Sequence, residues 1–151
     1  MRPRSNSRSA AALVAAAIAF GVIATISAQQ NPPAKQSVWD GIYTDTQASR
    51  GERQYGRACE HCHGPDLAGD AVNEIPALSL DSFMTSWSGK SVKDLFDTVK
   101  RSMPKDKPDS LGTGAYVDVV AYLLQANRFP SGSRELPRTP DELDAIVIER
   151  R

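Results

Sequence analysis

Apolar positions along the chain form one unbroken run near the start and several helix-spaced clusters after it. The run covers residues 10–26, "AAALVAAAIAFGVIATI", seventeen residues behind the basic opening "MRPRSNSR" and ahead of "SAQQNPPAKQS". A basic start, an apolar stretch and small residues at its end describe a secretory signal, with cleavage expected after Ala28. The run falls just short of a comfortable membrane span, so an uncleaved anchor is the alternative. In either case the rest of the chain is exported.

Beyond a Pro-rich linker over 29–37, the spacing turns helical. "YTDTQASRGERQYGRACEHC" reads as a helix with Thr44 as N-cap and Gln47 three residues on. Residues 64–78 are rich in Gly, Pro, Asp and Asn and read as loop. "SLDSFMTSWSG" holds one short helical turn. Val92, Leu95, Phe96 and Val99 recur at i, i+3, i+4, i+7, which predicts an amphipathic helix capped by Ser91 and stopped by Pro104. "TGAYVDVVAYLLQANRF" predicts a second strong helix with Val117, Val120, Ala121 and Leu124 on one face. The tail over 131–151 is Pro-rich until "DELDAIVIER", expected as a short helix or an extended piece packed on or near the domain over 38–130. No alternating run is long enough for a sheet, so the predicted domain is all-α.

Charge and length narrow the function classes. The full chain carries 18 basic and 18 acidic side chains. Without residues 1–28, whose only charges are Arg2, Arg4 and Arg8, the remainder is at −3. It has no basic stripe, which argues against a nucleic-acid binder. One small domain with a limited core is what remains, and a cofactor or cross-link would help to stabilise it.

The chemistry is concentrated in "RACEHCHGPDL". Both cysteines and both histidines of the chain lie there, as Cys59, His61, Cys62 and His63. A disulfide between Cys59 and Cys62 would close a tiny loop and leave His63 unexplained. A thioredoxin-like pair needs a βαβ context that is missing. A zinc site needs ligands spread so that the chain can wrap the metal, and there are no others to recruit. C-x-x-C-H as a covalent haem attachment site accounts for all three residues. On one helical turn Cys59 and Cys62 sit at i and i+3, so their sulfurs can meet two vinyl groups, and His63 at i+4 can reach the iron. His61 points elsewhere and reads as an exposed spacer.

With His63 as the proximal ligand, His61 cannot serve on the opposite face. Beyond residue 28 the methionines are Met84 and Met103, and a thioether is the other common axial partner of an electron-carrying haem. Met103 is the preferred ligand, since it stands in the non-helical "RSMPKDKPDSLG" forty residues after His63. Met84, in "DSFMTSW", reads as core filling. An open or water-bound sixth position is the remaining alternative.

From about Val38 to Phe129 the chain resembles a class I, monohaem cytochrome c, through "CEHCHG", "IPAL", "SMP" and "YVDVVAYLL". It is more closely similar to bacterial haem c domains associated with quinoprotein alcohol dehydrogenases, through "WDGIYTDTQASRG", the W-x-G…LF…MP pattern and "N-x-F-P-x-G". "PDSLG" departs from the glycine that often follows the proline there. The resemblance implies three to five short helices around one covalently bound haem c with its iron. It implies that Gly51 and Tyr55 meet Tyr122, that the Pro76 carbonyl holds His63 Nδ1–H, and that Trp87 donates to a haem propionate. It also implies an electron-transfer protein rather than an enzyme, located in the periplasm. The implied partners are redox proteins: a quinoprotein dehydrogenase as donor, a terminal oxidase or another cytochrome as acceptor. A haem subunit of a dehydrogenase complex, and a five-coordinate haem enzyme or sensor, are the alternatives. Membrane contact is expected only if the N-terminal segment is retained.

Overall fold

The computed structural model describes residues 33–151. The expected signal or anchor over 1–28 therefore lies outside the described residues. The first long helix, α1 (Asp45–Ala58), starts where Thr44 Oγ1 accepts from the Gln47 N–H at 3.1 Å. It buries Gln47, Ala48, Gly51 and Tyr55 along one stripe. The facing helix, α5 (Thr113–Ala126), is apolar on almost every side, with Tyr116, Val117, Val120, Ala121 and Leu124 inside. The two cross at Gly51, where a Cβ would stand 1.8 Å from the Asp118 carbonyl oxygen. Only a residue without a side chain allows that approach. One turn on, the rings of Tyr55 and Tyr122 lie 5.2 Å apart, and from the position just before Gly51, Arg50 grips Asp118 with two bonds of 2.9 Å.

Between these helices run α2 (Glu60–His63), α3 (Leu80–Trp87) and α4 (Val92–Ser102). In α4 the expected cap is a full capping box: Ser91 Oγ accepts from Asp94 N–H, and Asp94 accepts from Ser91 N–H. Met103 closes its far end as C-cap, its N–H donating to Val99 at 2.9 Å.

Five α-helices lie within residues 38–130, as expected, and a sixth lies in the tail. Two expectations need correction. The single helix expected through Cys62 breaks at Cys59, where φ −128° and ψ −37° interrupt the ladder. The stretch 79–89 forms an eight-residue helix rather than one turn. Its Ser, Thr and Asp content weakens the local signal, but Phe83 is buried and Asn127 Oδ1 accepts the Leu80 N–H at 2.6 Å. Finally, the tail forms both expected alternatives at once. After α6 (Pro140–Asp144) comes β2 (Ile146–Val147), which pairs in parallel with β1 (Gln36–Ser37). Two residues per strand are too few for alternation to register.

Leu136, Leu143, Ile146 and Ile148 of the tail are buried in the same apolar core as α1, α4 and α5. The described residues 33–151 accordingly belong to one compact unit. No helix among the described residues is long and apolar enough to cross a membrane.

Candidate haem site

The break at Cys59 keeps the cysteine cluster on one tight turn. Cys59 N–H donates to Tyr55 at 2.8 Å, ending α1, and the Cys59 carbonyl then accepts from both Cys62 N–H and His63 N–H at 3.1 and 3.0 Å. Tyr55 Oη donates to the Gly64 carbonyl at 2.7 Å and ties the end of the turn back to α1. Cys59, Cys62 and His63 all face one cavity of about 820 Å³. Both thiols are free and half-buried, and burial first, then Cys62, pushes the Cys59 thiol up to about 11. Such a thiol is protonated at neutral pH and lacks the thiolate character of a redox cysteine. Among the described residues no three His, Cys, Asp or Glu side chains gather as a metal site, so the zinc alternative finds no ligand set.

His63 is buried, and its Nδ1 lies 3.1 Å from the Pro76 carbonyl oxygen. A carbonyl only accepts, so Nδ1 carries the proton and Nε2 keeps its lone pair for the cavity. The loop after the cluster produces this contact. Gly69 N–H donates to the His63 carbonyl at 2.9 Å, and Asp70 and Ile75 exchange backbone bonds of 2.9 and 2.8 Å. At Gly69 (φ +68°) a Cβ would meet the Ile75 oxygen at 2.4 Å and the Pro76 carbonyl at 2.7 Å. Its absence lets residues 75 and 76 pass close beneath the imidazole.

Met103, half-buried, lines the same cavity from the end of α4. Met84 packs against the core from α3 and does not line it. Trp87 lines the wall, with Lys90 Nζ 4.9 Å from its ring centroid. The interior is apolar, built from Phe83, Leu95, Val99, Val119 and Leu123, while Glu74, Lys105 and Asp106 stand at the mouth. Thr98 and Ser102 add hydroxyls to the α4 wall, but these donate to the carbonyls of Asp94 and Thr98 at 2.8 and 2.5 Å. His61 is exposed and touches only the cavity rim.

The cavity thus gathers two thiols on one turn, one imidazole nitrogen without a partner, one thioether from a distant segment and an apolar wall. Its size lies within the range of cofactor pockets, and its donors fit a covalently attached haem. Sequence reasoning missed three supporting residues. Gly69 was legible only as a loop residue. Asn127, which donates to the Leu78 and Leu123 carbonyls at 3.0 and 2.8 Å, had only the N-x-F-P pattern. Tyr116, whose Oη donates to the Met103 carbonyl at 2.7 Å, carried no signal beyond its place on the helix.

The family model described as cytochrome c oxidase, cbb3-type, subunit III matches residues 46–123, about half of the chain, from the second residue of α1 through α4 and into α5. No curated protein and no solved structure matches. The chain belongs to this cytochrome c family, its fold is the all-α cytochrome c fold, and its cofactor is covalently bound haem c with iron.

Proposed function

We propose, with that family as the premise, that the protein is an exported monohaem carrier passing single electrons between redox proteins, with His63 and Met103 as iron ligands. The observation that carries this reading is the single cavity shared by Cys59, Cys62, His63 and Met103, from which Met84 is absent. Bound haem supplies reversible one-electron chemistry at its iron. Cys59 and Cys62 would hold it by thioether bonds. His63 presents Nε2, and its Nδ1–H bond to Pro76 fixes the tautomer and raises ligand basicity. The Met103 sulfur is soft and favours the ferrous state, raising the potential above that of a bis-histidine site. Phe83, Leu95 and Val119 push the same way, since an apolar wall penalises the extra ferric charge. Trp87, at the wall, serves a haem propionate.

Residues 1–28 act as the export segment, cleaved after Ala28 or retained as an anchor. For the partner we propose a quinoprotein dehydrogenase as donor, on the "WDGIYTDTQASRG" and "N-x-F-P-x-G" likeness, with a terminal oxidase or another cytochrome as acceptor. Pull-down from a periplasmic extract tests it, and recovery of no dehydrogenase would remove that assignment.

The ligand assignment is tested by expressing the chain in a host competent in haem attachment. The wild type should carry one haem by mass and show a low-spin ferric spectrum with a thioether-to-iron charge-transfer band. Met103→Ala should lose that band, and its reduced form should bind carbon monoxide rapidly. A mutant that keeps the band and excludes carbon monoxide would overturn the Met103 assignment.

A further inference from the structure

We propose that Tyr116 is the positioning residue that keeps the Met103 sulfur on the iron. This rests on the reading of Met103 as a ligand. Met103 is the first residue past α4 and has extended backbone, φ −129° and ψ 151°. Its N–H is already fixed to Val99, but its carbonyl has left the helix and has no ladder partner. Tyr116 supplies one. The side chain is fully buried in the first turn of α5, and its Oη donates to that carbonyl at 2.7 Å. Both backbone polar groups of Met103 are therefore held, one by α4 and one by α5. A backbone rotation that carried Met103 away from the cavity must break the tyrosine bond.

The rest of the loop is closed separately. Asp109 N–H donates to the Lys100 carbonyl at 3.0 Å, and its carboxylate pairs with Lys100 Nζ at 2.6 Å. Those contacts shut the far end of residues 103–112 but touch neither backbone group of Met103. Tyr116 is thus the tie from α5 to the ligand itself. A buried hydroxyl-to-carbonyl bond of this kind shifts an equilibrium by roughly three- to tenfold.

The test is displacement of Met103 by imidazole in the ferric protein, followed through the charge-transfer band. Four forms are compared: wild type, Tyr116→Phe, Tyr43→Phe and Met103→Ala. Tyr43 is the control for ordinary stability, because it too is fully buried and donates to a backbone carbonyl, that of Phe129 at 2.5 Å. The expected result is imidazole affinity roughly three- to tenfold higher in Tyr116→Phe and unchanged within about twofold in Tyr43→Phe. The reduction potential of Tyr116→Phe should also fall, because the ferrous-stabilising sulfur is held less firmly. Equal affinities in wild type and Tyr116→Phe would overturn the proposal, as would an equal rise in Tyr43→Phe. A Met103→Ala protein with wild-type band and imidazole affinity would instead remove the ligand assignment, and the proposal with it. If Tyr116→Phe fails to accumulate, replacing Tyr116 by 4-fluorophenylalanine keeps the ring and fills the hydroxyl's place without a donor, and reads out the same way.

Discussion

Two glycines with similar backbone separate support for His63, the proposed iron ligand, from ordinary turn geometry. Gly69 and Gly89 both sit in the left-handed region, at φ +68° and +83°. An alanine at either strains the backbone by about 1–2 kcal/mol. At Gly89 nothing lies within 4 Å of the new Cβ, whereas at Gly69 the Ile75 oxygen would be 2.4 Å away. Gly69→Ala must therefore push residues 75 and 76 outward and withdraw the acceptor from His63 Nδ1. A histidine without that acceptor is a weaker donor to the metal, so the ferric state loses support. Gly69→Ala is expected to raise the reduction potential, while Gly89→Ala leaves it unchanged and loses less stability. Spectroelectrochemical titration beside thermal unfolding checks both. Equal potentials in the two mutants would show that the Pro76 contact does not tune His63.

Helix contact is decided by small residues at particular places. Gly51 and Gly56 both lie inside α1, but only Gly51 faces α5. A Cβ at Gly51 would overlap backbone, 1.8 Å from the Asp118 oxygen, and neither helix can yield without opening the core. At Gly56 the nearest atom is the flexible end of Glu60, at 3.2 Å. Gly51→Ala is expected to destabilise by about 3 kcal/mol or more, in the manner of an overpacked core. Gly56→Ala is expected to stabilise by up to about 1 kcal/mol, because alanine is the better helix former. Urea unfolding of the two proteins distinguishes them, and a stabilised Gly51→Ala would contradict the close crossing. This is also the scale at which the sequence was most legible. Thr44, Ser91 and Pro104 mark helix ends by chemistry that needs no tertiary context, and α4 and α5 carry strong periodicity. Helix α3 was under-read because Phe83 and the distant Asn127 hold it, and neither contact follows from local composition. The site was legible to the same degree. C-x-x-C-H and Met103 stand out as residue types, whereas Gly69 and Tyr116 act through backbone groups that any sequence possesses.

For the whole molecule, the tail is the part that local pattern described least, and the core depends on it. It closes a circuit. Gln36 N–H donates to the Ala145 carbonyl, Ile148 N–H to Lys90, and Gly89 N–H to Ile148, at 2.9, 2.9 and 2.7 Å. Buried Gln47 of α1 accepts the Leu136 N–H at 2.7 Å. The two ends of the described residues are thereby strapped to the loop between α3, which carries Trp87, and α4, which leads to Met103. Leu136, Leu143, Ile146 and Ile148 are each at most 2% exposed. Full burial of one such side chain contributes about 1.5–3 kcal/mol, and four together are of the order of a domain's entire stability of about 5–15 kcal/mol. Truncation after Arg134 should therefore leave a chain without a cooperative thermal transition, even though residues 46–123, the span that matches the family, remain intact. Ile148→Ala, a milder change, should cost about 2–5 kcal/mol. It should also loosen the Gly89–Lys90 segment, giving faster amide hydrogen exchange at the start of α4 than at the α1–α5 crossing. A truncated protein that melts as sharply as the full chain would mean that the family-matched half folds alone and the tail merely rests on it.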